Sequence, residues 1–386
     1  IDIFFSSLAA EKKEKAIAVV LSGTGTDGTN GIKAVKENGG LVIAQRPETA
    51  KFDGMPKSVI NTGLADFVLS PDEIVDEILN FIQYPTLIKN REKEEIITDE
   101  EKFTQIYAIL KKVSGIDFTN YKRTTVFRRI ERRMVVTHSP SLATYVTLLG
   151  NDEEECSILV KEILIGVTNF FRDPAYFEKL KSTVVRSIVE RAEEKEPIRV
   201  WSAGCSTGEE AYSLAILFRE VMEEQNIQRD VKIFATDVDA KAIEQAGKGI
   251  FSESIVDDVS QERLSKYFSK KNDQYHISKE IRRLIIFAPH NMLSDPPFGK
   301  LDLISCRNVM IYFQPVLQRT LFAVFHSALK SGGYLFLGKS ETAGEYSNVC
   351  RSVCSAEKIY IHKGEGKVDE FVPQAFSIPN IHTVSP

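Results

Sequence analysis

Val200-Trp201-Ser202-Ala203-Gly204-Cys205-Ser206-Thr207-Gly208-Glu209-Glu210-Ala211-Tyr212-Ser213-Leu214-Ala215 is the stretch that decides the fold. Ile198 to Ala203 is an apolar run with the length and composition of a buried strand. It breaks at Gly204, turns through Ser206-Thr207-Gly208 and enters a helix with apolar positions at Leu214, Leu217 and Phe218. A strand running through such a turn into a helix aims backbone amides and a positive dipole end at a ligand. A second apolar run, Val231 to Thr236, ends in Asp237-Val238-Asp239. In α/β nucleotide-binding sheets an acid at the tip of the second strand accepts hydrogen bonds from ribose hydroxyls. The turn reads Gly204-x-x-x-Gly208, not the G-x-G-x-x-G of a dinucleotide binder. With acids at Glu209 and Glu210 it suits a cationic ligand that lacks a pyrophosphate, and S-adenosylmethionine is of that kind.

Outward from this stretch the chain divides by pattern. Its 386 residues are enough for two or three domains, and 43% hydrophobic with 27% charged is an ordinary globular composition. A net charge of -5 argues against a general nucleic-acid binder. No apolar run approaches the roughly 18 residues of a membrane span. The chain opens on Ile1 without a signal peptide, so the numbering is expected to begin inside a longer protein. Five scattered cysteines, an odd number, favour a reducing cytoplasm over a disulfide framework. Cys350-x-x-x-Cys354 lacks a second ligand pair, so no metal is expected.

Residues 1–84 alternate strand and helix signals: Ile17 to Leu21, a turn over Ser22 to Gly28, a helix from Thr29 to Glu37, strands at Leu41 to Gln45 and near Phe67, and a helix from Pro71 to Phe81. Residues 85–101 are charge-rich and read as a linker. Residues 102–177 are helical throughout, with one stripe at Ile106, Ile109, Leu110 and Val113 closed by Gly115. Residues 178–363 alternate again, with strand-like runs opening at Ile198, Val231, Leu284, Leu301 and Tyr334. Residues 364–386 carry three prolines and no period, and read as a disordered tail or a linker.

Three strings give residues 103–362 a family likeness: Thr168-Asn169-Phe170-Phe171-Arg172-Asp173, the turn Gly204 to Glu210, and Cys306-Arg307-Asn308-Val309-Met310-Ile311-Tyr312-Phe313. In this order they resemble the chemotaxis-receptor glutamate methyltransferases, the CheR family. Leu21 to Gly28 and Phe52-Asp53-Gly54-Met55-Pro56 resemble the C-terminal part of the receptor methylesterases, the CheB family. The resemblance implies an α/β chain: a doubly wound Rossmann-like S-adenosylmethionine-dependent methyltransferase domain, preceded by an all-helical domain and a truncated α/β methylesterase remnant. It further implies a cytoplasmic enzyme that methylates receptor glutamates, yields S-adenosylhomocysteine, needs no metal, does not insert into membranes and does not bind nucleic acid.

The resemblance also implies roles for single residues. Arg172 would grip a substrate carboxylate through its planar fork, and Tyr312 would orient the reacting methyl. Thr168 would contact the cofactor with its hydroxyl. Glu209 would meet the cofactor's amino group or structure the turn, and Asp237 would take the ribose. Asn291 and Met292 would flank the adenine, and Arg307 and Asn308 would bind the cofactor at the sheet's carboxyl edge, where α/β sheets bind ligands. The family often has Asn two residues before the threonine, where this chain has Gly166. Asp27 matches the acid of the esterase's Ser-His-Asp triad, but no histidine precedes His138, so Asp27 is an orphan and no esterase activity is expected. Removing the remnant is expected to leave methylation intact.

Arg128, Arg129, Arg132 and Arg133 form a basic stripe, either a solvated face or a dock for the acidic helical surface of a receptor. Residues 267–277 contain no glycine, which argues against the receptor-pentapeptide tethering of some family members. Asp295-Pro296-Pro297-Phe298 looks like the signature of amino methyltransferases, yet it precedes the run at Leu301 rather than following it. Alternatives to receptor methylation are a nucleic-acid or small-molecule methyltransferase, or an inactive cofactor-binding scaffold.

Overall fold

A computed structural model of the chain describes residues 1–89, 99–272, 274–346 and 348–364. Most of the expected linker (85–101), and all of the expected tail (364–386) except Gly364, lie outside the described residues. The chain forms two compact units, Ile1–Asn169 with Ile250–His276, and Phe170–Gly249 with Ile277–Pro386.

The first unit begins with α1 (Asp2–Lys12), β1 (Ile17–Val20), α2 (Thr29–Glu37), β2 (Leu41–Gln45), α3 (Gly54–Asn61), β3 (Phe67–Leu69) and α4 (Pro71–Lys89). Its three strands pair in parallel in the order β1-β2-β3. β2 reads Leu41-Val42-Ile43-Ala44, and both of its faces are covered. Val42 and Ala44 pack with Ile32 and Val35 of α2, while Leu41 and Ile43 pack with Ile74 of α4. Covering both faces is what a continuous apolar strand requires. A Cβ on Gly31 would lie 2.7 Å from the Phe5 Cβ and 2.9 Å from the Asp2 Cα, so α1 and α2 cross this closely only because Gly31 has none.

Among the described residues four helices follow, α5 (Glu100–Ser114), α6 (Arg123–Val136), α7 (Leu142–Asn151) and α8 (Glu153–Leu164). Asp99, Ser141 and Asp152 cap the N-termini of α5, α7 and α8 with their side chains. Gly115, at φ 75°, closes α5 as expected. The buried stripe of α5 is Phe103, Ile106 and Leu110, while Val113 is 37% exposed, so the stripe lies further round the helix than its pattern suggests.

An ionic layer joins the sheet-bearing segment to these helices. Lys36 at the end of α2 reaches Asp66 at 2.6 Å and Glu162 of α8 at 3.6 Å. Arg132 of α6 pairs with Asp66 and, at 3.4 Å, with Glu162. Arg133 makes a two-pronged contact with Glu155 at 2.9 and 2.5 Å, and the Tyr145 hydroxyl donates to the same carboxylate. Arg129 donates to the carbonyl oxygens of Lys36 and Glu37. Three cations (Lys36, Arg132, Arg133) thus pair with three carboxylates (Asp66, Glu155, Glu162), and a fourth cation, Arg129, is taken up by main-chain carbonyls.

This corrects the reading of the arginine stripe. Arg129, Arg132 and Arg133 are buried, at 5%, 5% and 6% exposure, and of the four only Arg128 faces solvent. The physical reason is composition at a distance. The carboxylates and carbonyls that take up these arginines come from residues 36–66 and 155–162, so no local pattern distinguishes a solvated basic face from a paired one.

The second unit opens with α9 (Pro174–Lys179), a π-wound stretch (Leu180–Val185) and α10 (Arg186–Arg191). Then come β4 (Ile198–Ala203), α11 (Glu209–Glu224), β5 (Val231–Asp237) and α12 (Ala240–Lys248). The chain next supplies the rest of the first unit: β6 (Ile250–Ser252), α13 (Gln261–Tyr267), β7 (Phe268–Lys271) and most of β8 (Gln274–Ile277), a small sheet in the order β6-β8-β7. It returns through α14 (Lys279–Arg282), β9 (Ile285–Pro289), β10 (Leu301–Cys306), α15 (Pro315–Ala328), β11 (Leu329–Leu337), β12 (Cys350–Cys354) and β13 (Ile359–His362). The seven-stranded sheet has the order β12-β13-β11-β10-β4-β5-β9. Its first five strands in sequence are parallel, and β13 pairs antiparallel with both β11 and β12. β4 and β10, at its centre, are almost wholly buried, and the Trp201 indole nitrogen donates to the Thr236 hydroxyl at 2.8 Å.

Burial alone would push the Asp66 carboxyl up, but Arg132 and then Lys36 hold it below the ordinary carboxylate range. A lowered native value stabilises the fold fully above the unfolded value of about 4 and loses that contribution as pH falls through the native value. Asp66→Ala leaves Lys36 and Arg132 short of a buried partner and should destabilise the first unit by about 3–5 kcal/mol at neutral pH. Denaturant unfolding should also show a shallower loss below pH 4 in the variant than in the wild type; equal midpoints at pH 7 would contradict the pairing.

Candidate functional site

The chain leaves β4 toward β5 and β9 on one side, then returns past β4 to build β10 and β11 on the other. The carboxyl ends of β4, β5 and β10 therefore border the point where strand order reverses, which is where open α/β sheets bind ligands. The turn after β4 is shaped by close approach. Gly204 sits at φ +74°, and a Cβ there would lie 2.6 Å from Val309 Cγ2 and 3.7 Å from Met292 Cε. Gly208 sits at φ +94°, and its Cβ would come within 2.9 Å of Ala246 and 3.2 Å of the Phe287 ring. Segments following β4, β9 and β10 thus meet around two backbone positions where no side chain fits. The buried thiol of Cys205 is pushed well above its ordinary value by burial and by Asp237, so it stays a protonated core group rather than a nucleophile.

Asp237 ends β5 as expected, and its two oxygens accept the amides of Ser206, at 2.9 Å, and Asp239, at 3.0 Å. It ties the glycine turn to the β5 turn, and with the Val238 amide as a third donor the carboxylate still has acceptor capacity for a hydroxyl. Burial raises its carboxyl against the pull of these amides. Glu209 accepts from the Thr207 hydroxyl at 2.6 Å inside the turn. Glu210 points into the sheet: it accepts from Ser305 at 2.7 Å and Ser202 at 3.3 Å, and lies 3.6 Å from Arg307.

Arg307 follows β10 at the carboxyl edge, and its side chain is 1% exposed and sandwiched between the Phe177 and Phe336 rings at 5.1 and 4.7 Å. It donates to the Arg172 carbonyl at 3.0 Å and to Asp173 at 2.8 Å. Arg307 is thus a brace for the Arg172 loop, and two flanking aromatics and an acid from a distant loop draw it inward. Phe171 and Asp173, either side of Arg172, have positive φ (47° and 61°), and the Phe171 amide is held by Ser213 at 3.0 Å.

Asn308 is also at positive φ (59°), and its amide, with those of Val309, Met310 and Gly338, ends on one buried carboxylate, Glu341. The four distances run from 2.7 to 3.0 Å. Burial pushes the Glu341 carboxyl up, and the four donors pull against it. Sequence reading missed Glu341: its string Leu337-Gly338-Lys339-Ser340-Glu341 shows an acid in a turn, but three of its four donors lie about thirty residues upstream. Tyr312, half-buried, ends the short helix Met310–Tyr312 that this carboxylate anchors.

Met292 is buried and Asn291 half-buried after β9, where the Asn291 amide donates to Asp295 at 2.8 Å. Phe298 stacks on Phe234 at 4.6 Å and meets the edge of Trp201 at 5.3 Å. Asp295-Pro296-Pro297-Phe298 is therefore a turn closure and core plug between β9 and β10. Thr168 is half-buried in the first unit. Asp27 lies in the turn after β1 with its carboxylate accepting the Asp2 amide. Among the described residues no helix is long and apolar enough to cross a membrane.

Three family models match the chain: the CheB methylesterase over residues 1–78, the all-alpha domain of the CheR methyltransferase over 101–164, and the S-adenosylmethionine-binding domain of the CheR methyltransferase over 166–359. The chain is 44% identical over 362 residues to an uncharacterised 104.1 kDa protein of Rhodobacter capsulatus, which covers 88% of the chain but 38% of that protein. It is 33% identical to chemotaxis protein methyltransferase 2 of Vibrio cholerae, over 66% of the chain and 90% of the relative. Among solved structures, the CheB methylesterase catalytic domain of Thermotoga maritima is 45% identical over 21% of the chain and 42% of that domain, with a TM-score of 0.21.

Glu341→Gln preserves shape but faces its new amide group toward backbone donors. It should destabilise the second unit by on the order of 2–3 kcal/mol and loosen the Asn308–Tyr312 loop. Denaturant unfolding together with amide exchange at residues 308–312 would show this, and unchanged exchange there would contradict the anchoring.

Proposed function

Because the chain belongs to the CheR methyltransferase family, with a CheB-like segment ahead of it, we propose that it methylates glutamate side chains of chemotaxis receptors to glutamyl methyl esters for sensory adaptation. The observation that supports this most is the pair of braces at the crevice: Arg307 under the Arg172 carbonyl, and Glu341 under the loop that bears Tyr312. Arg172 and Tyr312, the two groups these braces carry, are what a fold that only held a cofactor would not require.

The residues fit S-adenosylmethionine. Gly204 and Gly208 form a cradle that any Cβ would fill, Asp237 keeps lone pairs for ribose hydroxyls, and Glu209 suits an ammonium group. Thr168, Asn291, Met292 and Asn308 are the remaining candidate contacts. When bound, the cofactor supplies an electrophilic methyl on a sulfonium. A glutamate carboxyl has a reference value of about 4.3, so at neutral pH it is already a nucleophile and no general base is required. Arg172 would bind that carboxylate and hold one oxygen in line with the methyl, while Tyr312 orients the methyl and helps exclude water. In such a transfer the bound cofactor would supply both the methyl and the sulfur that keeps the electron pair of the broken bond, so these residues would have only to bind, orient and exclude water, with no proton to move. The buried cysteines take no part.

Residues 1–137 hold no histidine for Asp27 to orient, so a Ser-His-Asp triad that used Asp27 would have to take its base from outside this stretch.

Arg172→Ala removes a charge-assisted fork at a desolvated site and should lower methylation by about 2–4 kcal/mol of activation free energy, or roughly 30- to 1000-fold. Tyr312→Phe should slow turnover while the fold stays intact. The product of receptor membranes and labelled cofactor should release methanol in mild base, as esters do and methylated amines or nucleobases do not. Base-stable label, or wild-type rates in both variants, would overturn the proposal. Methylesterase turnover by the chain, abolished in Asp27→Ala, would overturn the orphan-acid argument.

A further inference from the structure

Within the first unit, α2 does more than cover β2. Asn30, Lys33 and Glu37 are three and four residues apart, so they share a helix face. Its C-terminal end enters the ionic layer through Lys36 and receives Arg129 on the carbonyls of Lys36 and Glu37. Its N-terminal end bears on the small-sheet insertion: the Asn30 amide nitrogen donates to the Ser254 carbonyl at 3.2 Å and to Asp257 at 3.1 Å. Ser254 and Asp257 belong to the single helical turn Glu253–Asp257, and the next residue, Asp258, accepts from the Asn169 side chain at 3.1 Å. Lys33 adds a favourable charge at Asp258, while Asp257 and Asp2 add unfavourable ones. Asn169 is the second residue of Thr168-Asn169-Phe170-Phe171-Arg172-Asp173, the string that contains both the proposed cofactor threonine and the proposed carboxylate-binding arginine.

We propose that α2 of the CheB-like segment is a positioning element for methyl transfer: Asn30 fixes the Glu253–Asp258 turn, and Asp258 fixes Asn169 at the start of the Thr168–Asp173 string. The segment is then a structural part of the methyltransferase rather than the removable remnant of an esterase. Deleting residues 1–84 would take away Asn30, and would also strip Asp66 and Lys36 from Arg132 and Glu162. The inference rests on the methyl-transfer reading for its rate measurement, and has one measurement independent of it.

The test uses the full chain and point variants, because the deletion strands buried charges and can fail to fold. Asn30→Ala, Asp258→Ala and Asn169→Ala should each lower kcat about 5-fold, the equivalent of one hydrogen bond, with KM for receptor and the thermal midpoint close to wild type. Asp258→Asn keeps an acceptor for Asn169 and should retain the wild-type rate. Without receptor or cofactor, amide exchange at residues 168–171 should quicken in Asn30→Ala. Wild-type exchange in Asn30→Ala would overturn the inference, as would a kcat loss that follows the thermal midpoint or is shared by Asp258→Asn. If the wild-type chain methylates no receptor, the functional reading fails while the exchange measurement still decides this one.

Discussion

The proposed site depends on one carboxylate that makes no contact with solvent chemistry. Glu341 gathers four main-chain amides from two loops, those following β10 and β11, and holds the positive-φ backbone at Asn308 in place. Such a conformation costs free energy for a residue with a side chain and persists only when its surroundings fix it. Val309, fixed by this clamp, is also the residue that a Cβ on Gly204 would strike. The glycine turn, the Tyr312 helix and the crevice between them therefore share one electrostatic anchor. Glu210 and Arg307 repeat the principle a layer deeper, linking Ser202 and Ser305 at the sheet centre to the Arg172 loop.

In the first unit the comparable constraint is the layer in which Lys36, Arg132 and Arg133 pair with Asp66, Glu155 and Glu162. A buried charge is tolerated only when it is paired and hydrogen-bonded. The layer joins α2 and the approach to β3 to α6 and α8, so the CheB-like segment and the helical domain share a core they cannot divide without leaving charge unpaired. This changes what the arginines of α6 are for. Three of them are internal ties, and of the four only Arg128 is exposed.

Much of the architecture was legible residue by residue. β2 and β4 announced themselves as uninterrupted apolar runs, Gly115 as a helix stop, and Asp237 as a strand-end acid, because each signal is carried by residues within a few positions of one another. The small sheet β6–β8 and the hairpin β12–β13 were not, since strands this short have no period of their own and exist through pairing. Asp295-Pro296-Pro297-Phe298 carried a misleading signal. Its chemistry is decided by the neighbours of Phe298, which come from β4 and β5.

By itself the sequence determined the doubly wound sheet, the glycine turn, the order of the segments and their family likeness, since strand length, helix period and turn chemistry are local properties of the chain. Tertiary structure alone decided which charges act and which merely hold. Arg307, Glu341, Arg132 and Asn169 look like ordinary polar residues in the sequence. Their roles are fixed by partners thirty to more than one hundred residues away, and a buried charge or amide takes its meaning from the group that neutralises it rather than from its neighbours in the chain.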